Sequence, residues 1–370
     1  MIPQWEQDII NSKIKKYVYV IDWLDQNENT IEEITVDVVE GSLNFDSKRN
    51  SRRSARMVLN NINGIYVPSA NGKLWIDNRF KIKAGYEYDD GQYLLYNQGT
   101  YVLGNPTLTS LPAIREVEIE GLDKWTLLDG TIAGRLETKY QIDVGTRVDV
   151  VIKDLITTIA GENRYIIDEC DTTLPYTITK EPGNTISDII LEICNIVSYI
   201  SYFDNNGVFR FRPYIKPEDY AIIPPSWYYT VSGLYLGSRR NLKWLDVKNK
   251  VKVIGDTLSD GTVIEAVSEQ ITGDVGTSSI GERLKKVEDS NIWTVDLAQQ
   301  RANYELQQSL RIAEEDKITL VPNFSHLPDD IINNTDESNG LSGNYVIQTI
   351  NYNLSNDTEM TLGLWGISDE

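Results

Sequence analysis

The sequence predicts a multi-domain β-rich (α+β) protein: strands first, then a small α/β unit, then strands again with one long helix among them. Three observations carry this. The first 125 residues hold β-branched and aromatic runs broken by polar turns. From Thr146 to Ile200 apolar residues recur at helical spacing. From Val247 alternating strands return, interrupted by one narrow amphipathic stripe. A chain of 370 residues suits two or three domains of roughly 100–200 residues each. Its 41% hydrophobic content is enough to give each a core.

In the first part, Tyr17–Ile21 and Ile34–Val39 flank the polar turn Asp25–Asn29 and read as paired strands. Arg79–Lys83 and Glu116–Glu120 alternate strictly, which puts apolar residues on one face of a sheet and charges on the other. About seven short strands with Asp-Asp-Gly and Asn-Gly turns point to a barrel or a sandwich.

In the middle, Val148, Val151, Ile152, Leu155, Ile156 and Ile159 form a helical stripe, with Gly161 placed for a left-handed C-cap. A second helix opens at Asn184 or Thr185, each a suitable N-cap. Its stripe is Ile186, Ile189, Ile190, Ile193, Cys194, Val197 and Ile200. A hairpin follows, turning at Asp204–Gly207. The Pro- and aromatic-rich run Ile223–Tyr229 marks a boundary. Val247–Gly255 and Val263–Val267 are strands, and Gly273–Gly281, small and polar, is expected to be a mobile loop. A helix over Val295–Glu314 carries Ala298, Ala302, Leu306 and Leu310. Three strands close the chain, within 317–321, 345–350 and 360–365.

Fifty-five acidic residues against 35 basic ones give a formal charge of −20. Such a field repels phosphate backbones and disfavours sequence-independent nucleic-acid binding. The charge either keeps the chain soluble or lines a path that DNA passes without adhering. No secretory signal opens the sequence, and no run approaches the ~18 apolar residues of a membrane span, so no membrane insertion is expected. Cys170 and Cys194 read as reduced thiols, Cys194 as a small buried hydrophobe.

Catalytic, cofactor and metal sites are all expected to be absent. His326 is the sole histidine and stands beside Pro328 in an expected solvated loop, which removes His-dependent triads. No spaced His/Cys cluster suits zinc, and no Gly-rich loop precedes a Lys-Ser/Thr pair. A glycosidase would need two carboxylates; Glu137, Asp143 and Glu162 are candidates, with nothing to single out a pair. Asp204-x-Asn206-Gly207 opens like a calcium loop, but Ile215 stands where the bidentate glutamate belongs.

One basic cluster stands out: Lys48, Arg49, Arg52, Arg53 and Arg56. It is open to two main readings. One is a solvated strand edge that discourages edge pairing. The other is a subunit interface, with Arg52, Arg53 and Arg56 pairing bidentately with carboxylates of a neighbouring copy. Nucleic-acid contact is the weakest alternative, since no aromatic platform accompanies the cluster.

The order of motifs resembles the hub family of phage tails and phage-like contractile particles, including the structural N-terminal part of tail-associated lysins. Gly41–Asp46 leads into Arg52–Leu59; Leu74–Ile82 and Gly99–Pro106 follow, then Ile119–Lys124 and the two helical units. Asn249–Gly255 and the helix with Ala298, Ala302 and Leu306 complete the series. The resemblance implies two antiparallel β-barrel, tube-like domains per subunit and a homotrimer forming a pseudo-sixfold ring around a DNA channel. It implies a virion tail tip or baseplate after assembly in host cytoplasm. The implied partners are a tail tube or distal tail protein, a tape-measure protein, and a spike, fibre or lytic tail-tip protein. Passing DNA would be met without specific binding. The expected division is an N-terminal barrel over 1–130, a small α/β domain over 131–215 and a connector over 216–245. A C-terminal barrel would follow over 246–370, with its loop and helix at about 268–315. Lysin members carry an enzyme after the structural part; here the sequence stops after its last strand, so lytic activity is expected on a separate polypeptide. A cell-wall-degrading enzyme is the rival reading. A carbohydrate-binding module, suggested by 8 Trp and 21 Tyr, is a third, although core packing accounts for aromatics in alternating strands.

Overall fold

The computed structural model describes residues 2–367, apart from 36–37, 71, 90, 113, 216–218, 221, 232, 243, 259–260, 291, 312–313 and 356. The N-terminal part is strand-built, as its alternation requires. Helix α1 (Gln4–Ile10) precedes β1 (Lys16–Leu24), β2 (Thr30–Thr35), β3 (Val38–Asp46) and β4 (Arg53–Asn60). Then come β5 (Arg79–Asp89), β6 (Gln92–Leu103), β7 (Thr107–Leu111) and β8 (Ile114–Asp123). β1 and β2 pair across the expected turn, where the Asp25 carboxylate accepts the N–H groups of Asn27 and Asn29. Of the run expected over Ile34–Val39, Val36 and Asp37 lie outside the described residues.

The small α/β unit contains β9 (Tyr140–Ile142), α2 (Val148–Asp154), β10 (Tyr165–Ile167) and β11 (Ile178–Lys180). It is completed by α3 (Ile186–Val197), β12 (Tyr199–Phe203) and β13 (Phe209–Pro213). α2 widens into a π turn over Leu155–Ile159, and Gly161 has the positive φ of 69° that the cap position demands. α3 opens with a capping box: the Thr185 hydroxyl accepts from Asp188 N, and the Asp188 carboxylate accepts from Thr185 N. It stops earlier than its stripe predicts. Ser198 turns left-handed at φ 56°, so Ile200 belongs to β12 and Ile196 joins the buried face instead. Both cysteines are buried and free.

The chain then forms β14 (Trp227–Thr230), β15 (Tyr235–Leu242), β16 (Lys250–Thr257) and β17 (Val263–Glu269). A single turn, α4 (Thr277–Ile280), is followed by β18 (Leu284–Glu288) and α5 (Val295–Arg311). β19 (Glu314–Leu320), β20 (Ile331–Asp336), β21 (Leu341–Asn353) and β22 (Met360–Gly366) end the fold. The segment 273–281 is more ordered than expected: Thr277 and Ser278 donate their N–H groups to the carbonyls of Gln270 and Ile271. The helix expected to reach Glu314 ends at Arg311, and Glu314 opens β19; Ile312 and Ala313 lie outside the described residues. β16–β18 form a small sheet under α5, with Val251, Val253 and Ile264 packed on Ala298, Ala302 and Leu306. The stretch read as a connector contributes β14 and β15 to the main sheet.

That main sheet has fourteen strands and one continuous core, from Ile10 to Leu364. Among the described residues its pairing is an open path in which no closed barrel is found. Part of it is an eight-strand antiparallel array ordered β7–β8–β4–β3–β21–β22–β19–β15. It consists of two four-strand blocks. β3, β4, β7 and β8 stand in the spatial order first, second, fourth, third; so do β15, β19, β21 and β22. The joint between the blocks is β3 against β21, with Phe45 opposite Ile350 and Leu43 opposite Tyr352 facing the core. The opposite face carries Asn44 across from Asn351, Ser42 across from Asn353, and Ser54, Thr319 and Thr361 in register beside them.

Candidate interface and the buried ionic junction

β4 is an interior strand, between β3 and β8. The solvated-edge reading of the arginine cluster therefore fails for its inner members. Arg52 and Arg53 are buried at 5% and 7% exposure, where a charge must be paired or hydrogen-bonded. The Arg52 guanidinium lies 3.5 Å from the centre of the Tyr202 ring and donates from Nη1 to Asp329 Oδ2 at 2.9 Å. Arg212 Nη2 donates to the same oxygen at 3.0 Å. Arg53 Nη1 donates to the Phe203 carbonyl at 2.6 Å, and burial lowers the pKa of its guanidinium. Both arginines thus join the first block to the β12–β13 hairpin, and Arg52 also reaches the loop before β20. Arg56 points to the polar face, half-exposed, and pairs with Glu118 at 2.5 Å and Glu40 at 2.6 Å. Arg49 is at the surface, paired with Asp46, and Lys48 is exposed. Arg52 and Arg53 come together on one junction; Arg56 does not join them.

Asp123, which sequence reasoning did not single out, holds that junction from below. Its Oδ2 accepts the backbone N–H groups of Arg52 and Arg53 at 3.0 and 3.1 Å, and its Oδ1 caps the following 3-10 turn through Trp125 N at 2.8 Å. Burial raises its pKa to about 6, against the pull of Arg53 and the three N–H donors. Next along the chain, Lys124 is fully buried. Its ammonium is paired with Glu28 and Glu162 and donates to the Gly207 carbonyl at 2.9 Å. Glu28 also pairs with Arg164 at 2.7 Å. The β1–β2 turn, the end of β8, the start of β10 and the β12–β13 hairpin therefore converge on one ammonium.

The loop from Val321 to Asp330 plugs the core. Phe324 packs among Tyr17, Tyr86 and Tyr352, and Gln98 donates to its carbonyl while accepting from the Tyr352 hydroxyl. His326 is not solvated as its loop position suggested. It is 3% exposed, with Nε2 2.6 Å from the Tyr229 hydroxyl, and burial drops its pKa to about 3. Asp330 in the same loop is raised to about 6, again chiefly by burial. These residues have no local signal in the sequence, because their partners come from distant strands.

The carboxylates considered for catalysis are dispersed in role: Glu162 serves Lys124, whereas Glu137 and Asp143 are exposed. The Asp204 carboxylate is engaged by the N–H groups of Asn206 and Val208 and by Arg210, the wiring of a hairpin turn. Among the described residues no group of three or more His, Cys, Asp and Glu is placed to hold a metal, and no helix is long and apolar enough to cross a membrane.

Compared by sequence, no family and no curated protein matches the chain. Compared by structure, it is similar over nearly its whole length to phage tail proteins. The tail protein of Neisseria meningitidis MC58 superposes with a TM-score of 0.69 at 14% identity, covering 95% of this chain and 96% of that one. The 43 kDa tail protein of prophage MuSo2 from Shewanella oneidensis gives 0.68 at 13% identity, covering 94% and 98%. Prophage tail protein gp18 of Listeria monocytogenes EGD-e gives 0.55 at 14% identity, covering 94% of each chain. The chain has the fold of the phage tail proteins, the group to which the hub family suggested by its motif order belongs.

Proposed function

We propose that this chain is a non-enzymatic structural hub of a phage-type tail tip or baseplate, which assembles as a trimeric ring between the tail tube and a central spike, fibre or lytic subunit. The observation that carries the reading is the end-to-end likeness to tail proteins, including two of closely similar length. The internal repeat supports it, because two blocks of one topology give each subunit two equivalent positions in a ring. The polar face around Asn44, Asn351, Ser54 and Thr361 is the proposed channel wall. Its middle strands present Asn and Ser, its β8 end carries Glu116, Glu118 and Glu120 with Arg56 paired to Glu118 among them, and its β15 end carries Arg239 and Lys317, so its cations are separated and interspersed with acids. Arg56 is the one of the three sequence-selected arginines that retains surface for contact with a neighbour.

Light scattering on the purified chain tests this. A mass of roughly three times 42.0 kDa is expected; a stable dimer would sink the ring.

A further inference from the structure

We infer that the cleft between α3 and the start of α5 binds a short saccharide that carries an acetamido group. This site goes beyond the hub reading and stands without it. The cleft is a cavity of about 410 Å³ where the α/β unit meets the small β16–β18 unit, within the ~300–1,000 Å³ of small-molecule sites. One wall is the outer face of α3, where Asp188, Leu191, Glu192 and Asn195 follow at helical spacing. The other is the turn from β18 into α5, which contributes Asp289, Ile292 and Leu297. Both walls are fixed. The backbone N–H groups of Asp289 and Asp256 donate to the carbonyls of Ile254 and Ile292, tying the turn to β16. Arg301 of α5 donates from Nη1 to Asn195 Oδ1 at 2.7 Å, linking the two helices.

The feature that points to a sugar is an aromatic platform outside the cores. Trp293 is 44% exposed, yet its ring is stacked on Tyr176 with centroids 5.9 Å apart and planes 25° from parallel. Tyr176, which lines the cavity, is held in turn: its hydroxyl donates to Glu192 Oε1 at 2.9 Å, and Lys180 pairs with Glu192 Oε2 at 2.8 Å. A surface ring already fixed in one orientation costs a ligand little further ordering. Pyranose rings pack their C–H faces on such planes, while their hydroxyls need both donors and acceptors. The lining supplies both, with the carboxylates of Asp188 and Asp289, the Lys180 ammonium and the Asn195 amide. Leu191, Ile292 and Leu297 add an aliphatic patch suited to the acetamido methyl. Other ligand classes fit less well. A lipid tail would meet charged walls, and a phosphate would face three carboxylates against one ammonium. Because Glu192 is engaged at both oxygens, the site is one that holds a sugar and does not cleave it.

Saturation-transfer NMR titration of the full chain with N,N′-diacetylchitobiose tests the site. Saturable binding is expected, with a Kd of about 1 mM or tighter. Trp293→Ala should weaken it about tenfold by removing one aromatic contact, and Trp293→Phe, which keeps a ring, should restore most of the loss. Trp75→Ala, at a 41% exposed tryptophan in the loop between β4 and β5, should leave binding unchanged. Cellobiose, the same linkage without the acetamido groups, should bind at least about tenfold more weakly. Equal thermal melts establish that the variants fold. No saturable binding by the unaltered chain, or binding indifferent to Trp293→Ala, overturns the site. Cellobiose binding as tightly overturns the acetamido assignment. The mass by light scattering bears on the hub alone, so the two readings fail separately.

Discussion

Replacing Lys124 by methionine removes the cation at the centre of the junction while nearly keeping its volume. What is left is two buried carboxylates, Glu28 and Glu162, at 8% and 13% side-chain exposure. Breaking a buried pair from one side costs about 3–5 kcal/mol, most of it the uncompensated charge left behind. The two carboxylates do not lose equally. Glu28 keeps Arg164 at 2.7 Å and Arg79 at 3.7 Å, whereas among the described residues Glu162 keeps the Arg164 backbone N–H at 2.8 Å. The Gly207 carbonyl also loses its donor, at about 1 kcal/mol. The sum favours a loss of about 4 kcal/mol for Lys124→Met, of which Glu162→Gln in the same chain restores about 2. Urea unfolding followed by tryptophan fluorescence and far-ultraviolet circular dichroism measures both, and coincident transitions establish that one step is being read. A loss below about 1 kcal/mol, or an unchanged cost in the double variant, would refute the account of Lys124 as the charge on which the surrounding segments depend.

Other consequences follow from the buried titrating groups and the helix cap. His326 has its pKa lowered from 6.5 to about 3, so the unfolded chain binds the extra proton between those values. Stability from this group is full above pH 6.5 and falls by about 1.4 kcal/mol per pH unit on acidification. His326→Gln should remove that slope, and parallel pH profiles for the two proteins would show the ring is not buried neutral. Asp123 has the opposite sign: its raised pKa makes the folded chain bind the proton between 3.8 and about 6. Its contribution is full below 3.8 and is lost as pH rises through 6, by about 3 kcal/mol in all; Asp123→Asn should flatten this window in the same unfolding series. Thr185→Ala should cost about 1 kcal/mol by removing the capping box of α3, with Thr185→Ser restoring most of it; equal melting temperatures for all three would contradict the cap.

Elements specified by their own residues were legible. The stripe of α3 and its Thr185 cap lie within a dozen positions, and the turns at Asp25–Asn29 and Asp204–Gly207 carry the polar residues those turns need. The end of α3 was misread because a serine, not a glycine or asparagine, takes the left-handed position at 198. Pairing between distant strands was not legible. Alternation told that Leu43 and Phe45 share a face, but nothing near them names Tyr352 and Ile350 as their partners. The junction failed for the same reason. Arg52 reads as a surface charge until Asp329 and Tyr202, from two other parts of the chain, are brought to it. His326 likewise reads as a loop residue until Tyr229 closes over it.

The contrast between the joined blocks and the open sheet edges shows how the fold holds its units together. Ion pairs in a core are a poor source of stability, since desolvation offsets most of their attraction, but they tolerate little displacement. Arg52 satisfies Asp329 and stacks on Tyr202 in one arrangement only, and Arg212 shares the same carboxylate oxygen. Sliding the α/β unit on the main sheet would break these contacts together with those of Lys124, whereas an apolar contact of equal area would permit it. The fold thus fixes the angle between its units with charges and joins its two blocks with the mixed aromatic and aliphatic pairs of β3 and β21. At β7 it spends neither charge nor packing. Leu108 there stays 44% exposed, although Val117 beside it is fully buried.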